Sequence, residues 1–278
     1  MKSANSYKKR LLPLEIILLI VGLVFIAPFY FLLVNSVKSF GEILQNAASF
    51  PSIFQWENYS KAWQMMDFPR AFWNSLTITV IANILLALIS GMAAYRMVRR
   101  NTRFNKTLFM VYVAAMVVPF QSIMIPLIKV VNWFGLSNSM LGLLICYLGM
   151  GTSLCIFLFH GFVKSIPLEI EEAAVVDGCT PYGVFFKIVL PLMKPMAVTI
   201  IILNALWIWN DYLLPSLILQ DEDLHTIPLA TFGFFGQYTN KWDLALPALA
   251  MGIAPIVIFY LALQKYIVEG VAAGSVKG

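Results

Sequence analysis

Six runs of about 20 or more apolar residues recur along the chain, each long enough to cross a bilayer as a helix. They cover approximately residues 12–33, 71–95, 108–130, 140–163, 196–219 and 246–266. Lipid offers no partner for backbone N–H and C=O groups, so a span must satisfy them internally. No alternating pattern of the barrel kind is present, which leaves an all-α membrane protein with six transmembrane helices. Charged residues make up only 12% of the chain, against about 25% in ordinary soluble domains. The first run follows Lys8-Lys9-Arg10. It is too long for a signal peptide and lacks a small-residue cleavage site, so it reads as a retained helix.

The net charge of +5 does not point to nucleic acid, because no basic stripe is interleaved with aromatics. The charge sorts by side of the membrane instead. Fourteen of the 19 Lys and Arg residues lie at the termini or between spans two and three and spans four and five. The positive-inside rule then places both termini and the segment 164–195 in the cytoplasm. The loops at 34–70 and 220–245 face outward.

Connections between packed helices are usually short, yet 164–195 is long and patterned. Pro167 suits a first helical turn, and Glu169, Glu171 and Glu172 complement the positive end of the helix dipole. Gly178 is a natural terminator. Thr180 then caps a second helix with Pro181 at its first position, and Leu190-Pro191 is expected to stop it. Ala173 and Ala174 give a small, flat surface for close approach. Carboxylates on a short exposed helix can receive a partner's arginine. A solvated connector and a docking surface both fit these residues.

Glu172-Ala173-Ala174, Gly178 four residues on, then Ile188, Leu190 and Pro191 resemble the EAA motif of ABC importer permeases. Asp177 matches the commoner form of that motif, and Cys179 stands where the family often has Ala. Asn74-Ser75-Leu76 resembles the start of the type-I permease domain. Trp209 through Pro215, with the tail from Gln264 to Gly278, resembles the carbohydrate-uptake branch related to the maltose importer, specifically its second permease subunit.

The resemblance implies a type-I ABC importer permease fold. Residues 1–70 would form a tail, first helix and outer loop. The permease domain would be 71–266, with the coupling loop at 164–195 inside it, and 267–278 a cytoplasmic tail. It implies a bacterial-type cytoplasmic membrane and import of a sugar or oligosaccharide. The implied partners are a second, different permease, a dimer of ATPase subunits and an extracytoplasmic sugar-binding protein, besides the lipid bilayer. Glu172, Ala173, Ala174, Asp177 and Gly178 would meet the ATPase, and Gly270, Gly274 and Lys277 would reach toward it. ATP and Mg would be used by that partner. The chain itself carries no G-x-x-x-x-G-K-[ST] phosphate loop, so no cofactor is expected on it.

Polar groups inside spans are costly and usually face a bundle interior. Asn204 and Asp211, seven residues apart in the fifth run, are expected on one helix face with Trp207 beside them. Amides, carboxylates and aromatic rings suit sugars, so these residues border either the pore or a partner permease. Gln121 and Ser122 lie between Pro119 and Pro126 in the third run, where proline permits kinks for gating or merely static bends. Ala87 and Gly91 form a small-xxx-small pair for close helix packing. The outer segment from Thr231 to Asp243 mixes glycine, aromatics and amides and fits either a partner contact or a packed connector.

Enzymatic readings find little support. Ser153 and His160 share a helix face but lack the motif of an intramembrane protease, and His160 is expected at the cytoplasmic interface. His225 sits among Asp221, Glu222 and Asp223 in a loop that reads as solvated rather than metal-binding. Cys146, Cys155 and Cys179 form neither a disulfide framework nor a zinc site. No catalytic or metal-binding residue is assigned. The alternative is a self-sufficient secondary transporter or channel for a small polar solute. It would need coupling carboxylates at midplane, which the spans scarcely offer.

Overall fold

Long apolar segments with few glycines and prolines can satisfy their backbones only as helices, and the computed structural model is helical. It describes residues 2–236 and 240–275, with side chains described for 13–236 and 240–264. Among the described residues, strand-like pairing is limited to an isolated antiparallel bridge between Phe235 and Asn240. The principal helices are α1 (Lys2–Asn35), α2 (Phe68–Arg99), α3 (Arg103–Ala115), α4 (Phe120–Trp133) and α5 (Met140–Val163). After them come α6 (Leu168–Val176), α7 (Pro181–Leu192), α8 (Lys194–Trp209), α9 (Leu213–Ile218) and α10 (Trp242–Ser275). Among the described residues, four helices are long and apolar enough to span a membrane, and the bent pairs α3–α4 and α7–α8 raise the number to six if each is one span.

Three local expectations change. The third run is not one kinked helix: α3 and α4 meet at 108°. Pro119 has no N–H to donate and holds an extended ψ of 137° as the N-cap of α4, and a residue preceding proline is itself pushed out of the helical region. The fifth run is likewise divided. Helix α8 ends at Trp209, and the chain resumes helix only at Leu213. Finally, Leu190-Pro191 does not stop α7. A π-turn over Phe185–Val189 sends the Leu190 N–H to the Phe185 carbonyl. This wider turn carries Pro191 without calling on its missing donor, and the helix bends by 71° only after Leu192.

The chain divides into two compact units. In the first (Met1–Phe68 with Thr231–Ala254), the segment after α1 folds on itself. Lys38 is fully buried and donates to the Asn46 carbonyl at 3.0 Å, while Asn58 donates to the Lys38 carbonyl at 2.8 Å. In the second unit (Pro69–Ala230 with Pro255–Gly278), α2, α5 and α8 bury Leu86, Cys155, Phe159 and Ile200 in one core. Gly151 makes that crossing tight. A Cβ there would lie 2.8 Å from a Leu86 methyl group and 3.5 Å from the Trp207 ring.

Candidate functional site

Helix α6 has a buried face and an exposed face. Glu171 and Ala174 point inward, at 5% and 7% exposure, whereas Glu172, Ala173, Val175, Val176 and Asp177 are exposed. Arg99, in the last turn of α2, ion-pairs with the buried Glu171 at 2.6 Å, donates to it through Nε at 2.8 Å and donates to the Ile166 carbonyl at 2.9 Å. The Tyr95 hydroxyl donates to the other Glu171 oxygen at 2.8 Å. The Tyr95 ring also packs against Phe185 of α7 at 5.3 Å. One turn of α2 therefore holds both short loop helices.

Glu171 thus receives an arginine from within its own chain and is not free for a partner, unlike Glu172 beside it. Sequence reasoning missed Arg99 and Tyr95. The available signal was the three-residue spacing of Glu171 and Ala174, which puts them on one helix face.

The turn between α6 and α7 follows from its residues. Gly178 has φ +86°, a left-handed conformation that glycine adopts without a Cβ penalty. There the Cys179 N–H reaches the Ala174 carbonyl at 2.9 Å and the Gly178 N–H reaches that of Val175 at 3.0 Å, closing the end of α6. No atom lies within 4 Å of a Cβ built at Gly178, so conformation rather than space restricts the position. Thr180 accepts from the Gly183 N–H at 3.1 Å and caps α7. The outward surface combines the Glu172 and Asp177 carboxylates with the exposed side chains of Val176 and Tyr182.

The residues proposed for a path do not share one helix face, because α8 stops before Asp211. Asn204 is buried and donates to Cys155 Sγ at 3.1 Å. Asp211 accepts from the Tyr147 hydroxyl at 3.0 Å and, through its other oxygen, from the Leu213 N–H at 3.0 Å, so it starts α9. Trp207 meets the buried Tyr147 edge-on at 5.4 Å. Tyr147, not singled out from sequence, thereby joins Trp207 to Asp211. Gln121 is exposed on α4 just after the sharp bend. A cavity of about 640 Å³ lies between α4 and α5, lined by Phe120, Leu127, Val131, Cys146, Gly149 and Ser153 among others, and the four named residues are not in its walls. Buried Ser75, Thr79, Asn83 and Ser90 form a polar stripe on α2 that their spacing of fours and a seven would have revealed.

His160 is 8% exposed and stacks on Phe109 at 3.7 Å, because α3 packs over this part of α5. The acidic side chains Asp221, Glu222 and Asp223 are exposed, as expected of a solvated loop, and the loop is also tied to the start of α2. Asp223 pairs with Arg70, and Asn74 donates to the carbonyls of Asp223 and His225 at 2.9 and 3.0 Å. Burial holds the His225 imidazole below its ordinary pKa. Gly91 packs ordinarily, its built Cβ 3.6 Å from Met193. In the segment from Thr231 to Asp243, Phe235 packs edge-on against Trp242, and residues 237–239 lie outside the described residues. Gly270 and Gly274 fall within α10, while Lys277 lies outside the described residues.

Residues 83–272 match the family model described as "Binding-protein-dependent transport system inner membrane component". The chain is 41% identical over 260 residues to the probable starch degradation products transport system permease protein AmyC of Thermoanaerobacterium thermosulfurigenes, covering 93% of this chain and 94% of that one. It is 36% identical, over the whole of both chains, to the melibiose/raffinose/stachyose import permease protein MelC of Bacillus subtilis. Its fold resembles that of a chain in the crystal structure of a bacterial ABC transporter involved in the import of the acidic polysaccharide alginate. That match has a TM-score of 0.81 and 22% identity, covering 91% of this chain and 94% of the other.

Proposed function

The chain belongs to the family of binding-protein-dependent transport system inner membrane components, and from that membership we propose that it is one of two different permease subunits of an ATP-driven importer for a sugar or oligosaccharide. The sugar assignment is supported by relatives whose names describe starch-product and melibiose/raffinose/stachyose permeases at 41% and 36% identity. On this reading a dimer of ATPase subunits uses ATP and Mg, and an extracytoplasmic binding protein delivers the substrate. Both termini and the 164–195 loop are cytoplasmic, with the permease domain running over 71–266.

The observation that carries the mechanism is the division of α6 into a pinned face and a free face. Glu171 is locked to α2 through Arg99 and Tyr95, while Glu172, Ala173 and Asp177 face outward. A motor subunit gripping the free face therefore pulls on α2 through the pinned one. Ala174, on the pinned face, permits the close seating, and Gly178 sets the angle between the loop helices. The tail bearing Gly270, Gly274 and Lys277 adds a further contact with the ATPase. Coupling requires contacts that differ between two states, and ATP-driven closure of the motor supplies the difference. Trp207, Asp211 and Gln121 border the sugar path. Tyr147 orients the first two, and Asn204 supports them from the core.

The experiment is uptake of a labelled oligosaccharide in a strain lacking this gene, complemented with wild type, Glu172→Lys or Asp177→Lys, alongside ATP hydrolysis by the purified complex. The expected result is loss of uptake with retained membrane insertion and with hydrolysis no longer stimulated by loaded binding protein. Wild-type uptake in Glu172→Lys, or uptake by this chain reconstituted alone, overturns the proposal.

A further inference from the structure

We infer that the end of α5 and the start of α3 form a binding site for an anionic phospholipid, in a cavity walled by Lys106, Lys164, Asn101, His160 and the apolar side chains of Phe109 and Met110. The cavity has a volume of about 520 Å³. It lies where the basic residues of the chain concentrate, between the end of α5, which is long and apolar enough to span a membrane, and the start of α3.

Four observations converge on an anion with an apolar tail. Neither Lys106 nor Lys164 has a carboxylate partner among the described residues, although Arg99 nearby in sequence does. Lys106 and Arg103 occupy the first turn of α3, which contains no acidic residue. Cations there oppose the helix dipole, so the arrangement is locally unfavourable unless an anion offsets it. His160 is more than nine-tenths buried, stacks on Phe109 near the Lys164 ammonium, has no side-chain hydrogen bond among the described residues, and lines the same cavity. Its imidazole offers a nitrogen to a phosphate oxygen. Besides Asn105, the remainder is lined by Met97, Val98, Phe109 and Met110, an apolar wall that suits an acyl chain better than a soluble phosphate. Basic pockets between transmembrane helices on the cytoplasmic side suit acidic headgroups for these reasons.

The site is distinct from the coupling surface, but both hang from the end of α2. Met97 and Val98 line the cavity, while Tyr95 and Arg99 hold the loop. Its leaflet rests on the cytoplasmic orientation proposed above. Its existence does not, since lipid retention is read without reference to sidedness or uptake.

The test uses the purified importer complex in nanodiscs of phosphatidylcholine with a minor fraction of phosphatidylglycerol, with retained lipid counted by native mass spectrometry. Wild type is expected to retain phosphatidylglycerol selectively. The Lys106→Gln/Lys164→Gln pair should weaken that retention by about thirtyfold, from about fivefold per lysine near a charged headgroup. The charge-matched Lys187→Gln/Lys194→Gln pair should retain it. Equal loss in both pairs indicates diffuse attraction and overturns the site, as does no loss in either. Displacement of the lipid by soluble glycerol 3-phosphate would assign the pocket to a free phosphate ester and overturn the lipid assignment. If uptake proves ATP-independent while selective retention persists, the proposed function fails and the lipid site stands.

Discussion

Cutting the Arg99–Glu171 pair on one side should loosen the coupling loop far more than removing it altogether. Arg99→Met removes the 2.6 Å ion pair and the 2.9 Å bond to the Ile166 carbonyl, leaving Glu171 with Tyr95 alone. The carboxylate side chain is 7% exposed and the guanidinium side chain 17%. Removing one partner of a buried pair costs about 3–5 kcal/mol. The partial exposure of Arg99 selects the lower end, about 3 kcal/mol, or roughly a hundredfold in an opening equilibrium. Arg99→Met/Glu171→Met leaves no buried charge, and the cost should fall to about 1 kcal/mol, the loss of neutral hydrogen bonds.

The assay is amide hydrogen exchange over residues 168–176 in the assembled importer, under conditions where exchange reports the opening equilibrium. The single variant should raise exchange by about two orders of magnitude and the double variant by about one or less. If both single changes and the double change were additive within about 0.5 kcal/mol, there would be no coupling between the two side chains. The pinned-face account of α6 would then be wrong.

Gly178→Ala should destabilise the α6–α7 turn by about 1–2 kcal/mol because its φ is +86°, and Gly178→Asn by less. Exchange at the Cys179 amide should rank the three proteins in that order. Gly151→Ala should lower the thermal midpoint of the complex by overpacking Leu86, about 1 kcal/mol or more, and Gly151→Ala/Leu86→Val should recover part of the loss. A double variant no better than the single would place the strain elsewhere. Tyr147→Phe removes the donor to Asp211 and should cost about 1–3 kcal/mol. It should also alter the KM for sugar if Trp207 and Asp211 line the path, and an unchanged KM with a lowered midpoint restricts Tyr147 to a structural role.

Much of the coupling loop was legible in order along the chain. Pro167, Gly178, Thr180 and Pro181 act within three or four residues of themselves, so helix, turn and cap follow from local rules. The same rules misjudged Leu190-Pro191, because a π-turn one step earlier changes which donors the helix needs. Pro119 marked where the third run could bend, but not that the break would reach 108°, to which hydropathy is blind.

The membrane class, the six apolar runs and the two-helix loop follow from the order of residues alone. Chain length in lipid, backbone hydrogen bonding and cap chemistry are all local constraints. Helix packing set which way Glu171 and Glu172 face, the first inward and the second out, and it spent Asn204 on Cys155. Arg99 lies 72 residues from Glu171 and Asn204 lies 49 from Cys155. Pairings over such distances are chosen by how the helices pack, which no local pattern encodes.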